Sequence, residues 1–309
     1  MKQFALTICL LMVAGLAAAH GDVAEEADEH VHRVLVIGAI DQNLDSRFSE
    51  LRPIADYIGG ALADLGITRV EILVAEDRRR LARLMRDGRV DWVSANVANT
   101  VYLQEAAGVE ILVRKWKQGA PQIRSVFFSR ADSGIDSLDD LAGRLLAMYQ
   151  PESTTGHFLP VAELMRHDMR TTILDTPRHK VPPGSVGLAF AGSHLNTTTW
   201  VHKRIVSAGV VSNVDWESVD TMPEAFRNDF VIFHQTDALP RALELVRPTL
   251  DEDLREGLKH ALLSMDDDPA AAAALQAYQG TLRFDELETE DWDVLSKLRS
   301  TFAQLMFVQ

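Results

Sequence analysis

RVLVIGAIDQNLDSRFSELRPIADYIGGALADLGITRVEILVA, residues 33–75, decides the fold of this chain. Its first eight residues, Arg33 to Ile40, are apolar and rich in β-branched side chains, the composition of a parallel strand buried on both faces. The polar turn Asp41-Gln42-Asn43 follows. A helix is predicted from near Phe48 to Leu65, because Leu51, Ile54, Ile58, Leu62 and Leu65 recur at helical spacing and Gly66 ends the run. Val70 to Val74 is the next strand. The alternation then repeats, with a helix over Asp77 to Arg86 stopped by Gly88, a strand over Val90 to Ala95 and a helix from Asn99 through Ala106. Strands and helices alternating through short loops make right-handed βαβ units and a mainly parallel sheet.

Working outward, Val109 to Trp116 and Ile123 to Phe128 are strands around a turn at Gln118-Gly119. A second α/β unit opens near Ala131: Ser137 caps a short helix to Leu141, and the strand Arg144 to Met148 runs into the loop Pro151 to Gly156. A helix over Phe158 to Met165 follows, then the strand Val186 to Ala191, which leads into Gly192-Ser193-His194. Beyond a helix near Thr198 to Ser207 come the apolar pair Val210-Val211, the polar run Ser212 to Asp215 and a late strand, Phe230 to His234. Asp251 to Met265 and Ala270 to Tyr278 are helical. The expected class is α/β with two lobes, each a mainly parallel sheet flanked by helices, and a ligand cleft between them. The interrupted order assigns residues 33–124 and 240–309 to lobe one and residues 125–239 to lobe two.

The remaining segments bound the setting. Lys2, the apolar run Phe4 to Leu16 and the small residues Ala17-Ala18-Ala19 have the form of a secretory signal cleaved after residue 19, too short to span a bilayer comfortably. Residues 20–32 form a polar, acidic leader expected to be disordered; its three histidines are a weak case for a loosely held metal. The single cysteine, Cys9, falls inside the signal, so the mature chain has no disulfide and no thiolate for a thiophilic metal. With 45 acidic against 31 basic residues the chain carries a formal charge of −14, which argues against nucleic acid as a partner. No later run is apolar enough for membrane insertion of the mature chain, no Gly-Lys-Ser/Thr P-loop points to nucleotide binding, and no cofactor is implied.

Four polar loops stand directly after predicted strands: Asp41-Gln42, Asn96 to Thr100, Ser153-Thr154-Thr155-Gly156 and Ser193-His194. In open parallel sheets ligands bind at the carboxyl ends of strands, so these loops should converge. Ser153 to Gly156 is chemically the richest, since its hydroxyls and free amides sit at a helix entrance that favours an anion. Taken alone, helix capping is the simpler account of those hydroxyls.

Several stretches together resemble the phosphate/phosphite/phosphonate-binding components of ABC transporters, within the type II periplasmic binding fold. They are RVLVIGAIDQN, RPIADYI, DWVSANVANTVYL, RSVFFSRADSGIDSLDDLAG, PESTTGHFLP, FAGSH, SNVDWE and ALLSMDDDP, in family order from Arg33 to the C-terminus. The resemblance implies an oxyanion cradled by Ser153, Thr154 and Thr155 and faced by His194. Asp215 would accept a hydrogen bond from a protonated ligand oxygen, with Ser212 and Asn213 beside it. Asn96, Asn99 and Thr100, with Asp41 and Gln42, would supply the opposite lobe. The partner it implies is an ABC permease, with a membrane sensor kinase as the alternative. Two departures bear on the ligand. Where phosphonate-binding members place an aromatic before the P-[LI]-A-D-Y helix, this chain has Glu50 and Leu51, and their tyrosine-bearing G-P-x-S-Y turn is here Asn96-Val97-Ala98-Asn99-Thr100.

The sequence also carries the residue types of two rival chemistries. Ser153, His194 and Asp215 have the residue types of a hydrolytic triad, but no Gly-x-Ser-x-Gly elbow surrounds Ser153. His157, His167, His179 and His194 are metal-ligand types, but without His-x-His or His-Glu-x-x-His spacing. Neither displaces a non-enzymatic binding protein as the expected function.

Overall fold

The apolar strand β1 (Arg33–Ile40) is an interior strand, paired in parallel with β2 (Ile67–Ala75) on one side and β3 (Trp92–Ala95) on the other. The computed structural model that shows this describes residues 33–41 and 44–307. The expected signal peptide, the acidic leader and Gln42 lie outside the described residues. Between these strands run α1 (Leu44–Ala61) and α2 (Arg78–Arg86), followed by α3 (Val97–Ala107), β4 (Glu110–Lys117) and the short β5 (Gln122–Ile123). The second unit comprises β6 (Ser125–Arg130), β7 (Leu145–Met148), α4 (Leu159–Arg166), β8 (Arg170–Ile173), β9 (Ser185–Phe190) and α5 (His194–His202). Next come β10 (Ala208–Ser212), α6 (Asn213–Glu217), α7 (Glu224–Arg227) and β11 (Phe230–Gln235). The chain closes with β12 (Leu239–Pro240), β13 (Ala242–Val246), α8 (Glu252–Leu263), α9 (Ala272–Ala277), β14 (Thr281–Asp285) and α10 (Thr289–Phe307).

Two six-stranded sheets result, ordered β14-β4-β13-β3-β1-β2 and β11-β6-β10-β7-β9-β8. Each contains a parallel run, β3-β1-β2 in the first and β10-β7-β9-β8 in the second. The chain leaves the first sheet through β5 and returns through β12, and these two segments pair antiparallel where they pass.

Burial explains the helices. Leu51, Ile54, Ile58 and Leu62 of α1 pack with α8 and α9 on one face of the first sheet, while Leu81 of α2, Val101 of α3 and Leu295 and Phe302 of α10 cover the other. In the second sheet Val161 and Leu164 of α4 cover one face and Val201 of α5 the other. Burial of this kind contributes roughly 1.5–3 kcal/mol per large aliphatic side chain. No helix among the described residues is long and apolar enough to cross a membrane.

The structure adds elements absent from the sequence expectation: β8, the short α7 and β12, β13, β14 and the long α10. The most consequential is β13, which lies between β3 and β4 and antiparallel to both, at the centre of the first sheet. The polar run after β10 is itself helical, forming α6.

Candidate ligand-binding cleft

Serine and asparagine after apolar strands do the local work here. Each is a strong helix N-cap, because its side-chain oxygen accepts a free N–H of the first turn. Asn96 follows β3 and accepts from Asn99 N at 2.8 Å. Ser153 accepts from Gly156 N at 3.0 Å, Ser193 from Asn196 N at 3.0 Å and Ser212 from Asp215 N at 3.0 Å. Four helix entrances are thus fixed at strand ends, and residues from all four line one cavity of about 440 Å³. Their free amides and dipoles make that space favourable to negative charge.

The Ser153 entrance has its own geometry. Its first turn, Thr154–Phe158, is a wide π-turn closed by Phe158 N to the Ser153 carbonyl at 3.1 Å, a variation common at functional sites. Gly156 permits it: a Cβ there would stand 2.5 Å from Tyr149 Cβ. Tyr149 in turn stacks on the His194 imidazole, with centroids 3.9 Å apart and planes at 19°.

Among the sequence-predicted residues, the cavity brings together Asn96, Asn99, Ser153, Thr154, Thr155, His194, Ser212 and Asp215. Thr154 has a further task, since its Oγ1 accepts from Ala98 N at 3.0 Å and so caps α3 across the cleft. Asp215 Oδ2 accepts from Ser212 Oγ at 2.5 Å and lies 3.4 Å from His194 Nδ1. Burial pushes the His194 imidazole below its ordinary pKa, opposed by the Asp215 carboxylate, and burial raises the Tyr149 phenol. Two buried polar atoms on residues that line the cavity, His194 Nδ1 and Asn99 Oδ1, have no hydrogen-bond partner among the described residues.

The other candidates stand elsewhere. Asp41 pairs with Arg47 at 3.2 Å and lines an adjoining cavity of about 470 Å³ that shares Ile40 and Asn99 with the first. Thr100 is buried, with its hydroxyl donating to the Asn96 carbonyl at 2.9 Å. Asn213 Oδ1 accepts from Arg124 N at 2.9 Å, tying α6 to the first crossing segment.

Sequence reasoning missed the cations. Arg47, Lys117 and Arg241 line the cavity, as do Gln118, Tyr278 and Gln279. Arg47 is held against Glu50 at 2.9 Å, so the carboxylate that replaces the family aromatic orients a guanidinium. Arg241 donates through Nη2 to Gln118 Oε1 at 2.8 Å and through Nη1 to the Lys117 carbonyl. Burial, and then the neighbouring Arg241, lower the Lys117 pKa. Lys117 ends β4, one residue beyond the strand expected over Val109 to Trp116, so a lysine directly after an apolar strand was the available signal.

Ser153, His194 and Asp215 are not joined into a hydrogen-bonded triad among the described residues. Ser153 Oγ is engaged by Gly156 N, and no Ser153–His194 hydrogen bond occurs among the described residues. His157 donates Nδ1–H to the Pro151 carbonyl at 2.7 Å, and the described residues contain no group of three or more His, Cys, Asp or Glu placed to hold a metal ion.

Two α/β units with strand-end loops around one polar cleft define a type II periplasmic binding protein. The family model for the phosphonate periplasmic substrate-binding protein of ABC transporters matches residues 38–292. The chain belongs to that family, whose members are binding proteins rather than enzymes and work in the periplasm. Among solved structures, a Xanthomonas citri protein is 35% identical, with 88% of this chain and 98% of that one covered. Its TM-score is 0.82 in a form bound to chloride, and 0.81 in a form bound to ATP. A Prochlorococcus marinus protein in complex with methylphosphonate shares the fold, at TM-score 0.61 and 18% identity, covering 88% of this chain and 98% of that one.

Proposed function

We propose that this chain captures a small phosphorus oxyanion, a phosphonate, phosphite or phosphate, and delivers it to an ABC permease after export through a signal cleaved at residue 19. The observation that carries this reading is the meeting of four capped helix entrances with Lys117 and Arg241 around one cavity. Ser153, Thr154, Thr155 and His194 hold the anionic head from one side, and Asn96 and Asn99 face it from the other. Residues 33–124 with 240–309 act as one lobe and residues 125–239 as the second, hinged at the paired segments β5 and β12. A ligand that touches both lobes stabilises the closed form by its differential affinity.

A second reading has its own support. A cleft of about 440 Å³ with three cationic side chains suits a larger phosphorylated anion, and the Xanthomonas citri relative is bound to ATP. Small-molecule sites run from about 300 to 1,000 Å³, so an organic phosphate fits the size class.

A thermal-shift panel of phosphate, phosphite, methylphosphonate, sulfate, arsenate, arsenite and ATP separates these readings. At least one phosphorus oxyanion should raise the Tm, because a ligand bound only by the native state stabilises it by mass action. Arsenite should do little without a thiol. Stabilisation by an amino acid or a sugar, with no response to the panel, defeats the oxyanion assignment.

A further inference from the structure

The geometry points to Gln279 as a selectivity residue of the cleft, its side-chain amide turned by the buried Lys115 so that only hydrogen-bond donors face the ligand from that wall. This rests on the oxyanion reading above and specifies which ligand oxygen is met there: an ionised, acceptor-only one.

Lys115 sits beneath the cleft on β4, two residues before Lys117 and therefore on the same face of the strand. It is fully buried. Its Nζ lies 3.6 Å from Glu244 Oε1, 3.9 Å from the centroid of the Tyr278 ring and 3.2 Å from Gln279 Oε1. Glu244 is also fixed, accepting from Trp92 Nε1 at 2.6 Å and from Tyr278 Oη at 3.0 Å. An ammonium group has donors and no acceptor, so the atom that Lys115 holds is the amide oxygen of Gln279. The amide nitrogen, with its two N–H groups, is the end left for the cavity that Gln279 lines. Nothing in the sequence spacing marks this residue; the ion pair beneath it does.

The backbone at Gln279 agrees with a fixed role. Its φ is +61°, a left-handed conformation disfavoured for a side-chain-bearing residue, and Gln118 in the neighbouring turn has φ +52°. The two turns are joined by Gln118 N to the Gly280 carbonyl at 2.9 Å, and both glutamines line the cleft. Conformations of this kind persist where the surroundings over-determine them and cluster at ligand clamps. Across the cavity Asp215 offers an acceptor. An oxyanion with one protonated and one ionised oxygen therefore meets complementary walls, acceptor at Asp215 and donor at Gln279.

The test uses the mature protein, with phosphate and methylphosphonate as probes in calorimetry. Gln279→Gly removes the amide and relieves the left-handed strain, so affinity should fall about tenfold while the Tm holds or rises. Gln279→Glu replaces donors by a carboxylate and should reduce affinity by more than the glycine variant does. Lys115→Met/Glu244→Gln removes both charges of the pair, keeps acceptors for Trp92 and Tyr278, and frees the amide to turn. It should lose about as much affinity as Gln279→Gly, and adding Gln279→Gly to it should lose little more, a non-additivity expected only of coupled residues. Wild-type affinity in Gln279→Gly, or additive losses, overturns the assignment while leaving the proposed function standing. Failure of the wild-type protein to bind either probe removes the oxyanion reading and this assignment with it.

Discussion

Thr154 Oγ1 accepts a hydrogen bond from the backbone N–H of Ala98 at 3.0 Å, so a residue at the entrance of the second unit's helix caps a helix of the first. The bond is buried. It ties the helix entrance after β7 to the first turn of α3, and makes Thr154 part of a contact between the two sheets' helices as well as of the cavity wall.

Thr154→Ala should therefore act through closure. It leaves a buried N–H without its partner, a loss worth roughly 1–3 kcal/mol, felt only when the halves are together. Ligand affinity should fall about tenfold or more with both halves still folded, and small-angle scattering should show a larger radius in the variant. Thr154→Ser should restore both. Unchanged scattering and affinity in Thr154→Ala would mean that the Ala98 bond has no part in closure.

Much of the architecture was legible because periodicity and caps are local signals. Leu51, Ile54, Ile58 and Leu62 mark the buried face of α1, and Asn96, Ser153, Ser193 and Ser212 mark helix entrances after apolar strands. What escaped is set by tertiary pairing. The segment ALELV became the central antiparallel strand β13 because Glu244 finds Trp92, Tyr278 and Lys115 in the interior, contacts far away in sequence. The cleft cations were hidden for a related reason. Arg47 lies on a helix, Lys117 at a strand end and Arg241 beyond the second crossing segment, so only the fold brings them to one cavity.

Thr100 and Asn213 are sequence-predicted site residues that do not line the cavity, so they separate proximity in sequence from a place in its wall. Thr100→Val removes a hydroxyl bonded to the Asn96 carbonyl, and Asn213→Ala an acceptor for Arg124 N. Each should lower stability by about 1 kcal/mol and leave affinity within about twofold of wild type. His194→Ala, whose ring lines the cavity, should show the reverse. Calorimetry with chemical denaturation reads both quantities, and a tenfold affinity loss in Thr100→Val would return that residue to the site.

The buried pair Lys115–Glu244 predicts a pH-dependent stability. Burial lowers the Lys115 pKa from 10.5 to about 8. Between those values the unfolded chain binds the proton more than the folded one does, so stability from this group rises with pH above 8 and is lost as pH falls through 8. Tyr278, raised well above 10 by burial and by Glu244, acts oppositely, but only above its ordinary value of 10. From pH 8 to pH 10, urea denaturation should show wild type gaining stability relative to Lys115→Met/Glu244→Gln. Lys115→Met alone should be destabilised by about 3–5 kcal/mol, since it strands a buried carboxylate. Parallel stability profiles for wild type and the double variant would contradict the titration of Lys115 in this window.

Binding should carry its own proton linkage through Lys117. The groups acting on it are Arg241 and Arg47, which lower its pKa, and Glu50 and Asp215, which raise it, while burial lowers it most. An anion placed beside Lys117 favours the charged ammonium, so binding should raise that pKa and take up protons in the alkaline range, below the ordinary lysine value of 10.5. At lower pH the same lysine, with Arg241, offsets what Asp215 loses when the ligand gives up its last proton. Affinity of the wild-type protein for methylphosphonate should therefore change little as the ligand becomes a dianion. Lys117→Met should restore a decline with rising pH and abolish the alkaline proton uptake, with no large change in Tm. Calorimetry in buffers of different ionisation enthalpy measures the uptake directly. Equal slopes in the two proteins, or no uptake in wild type, would show that Lys117 lines the cleft without meeting the bound anion.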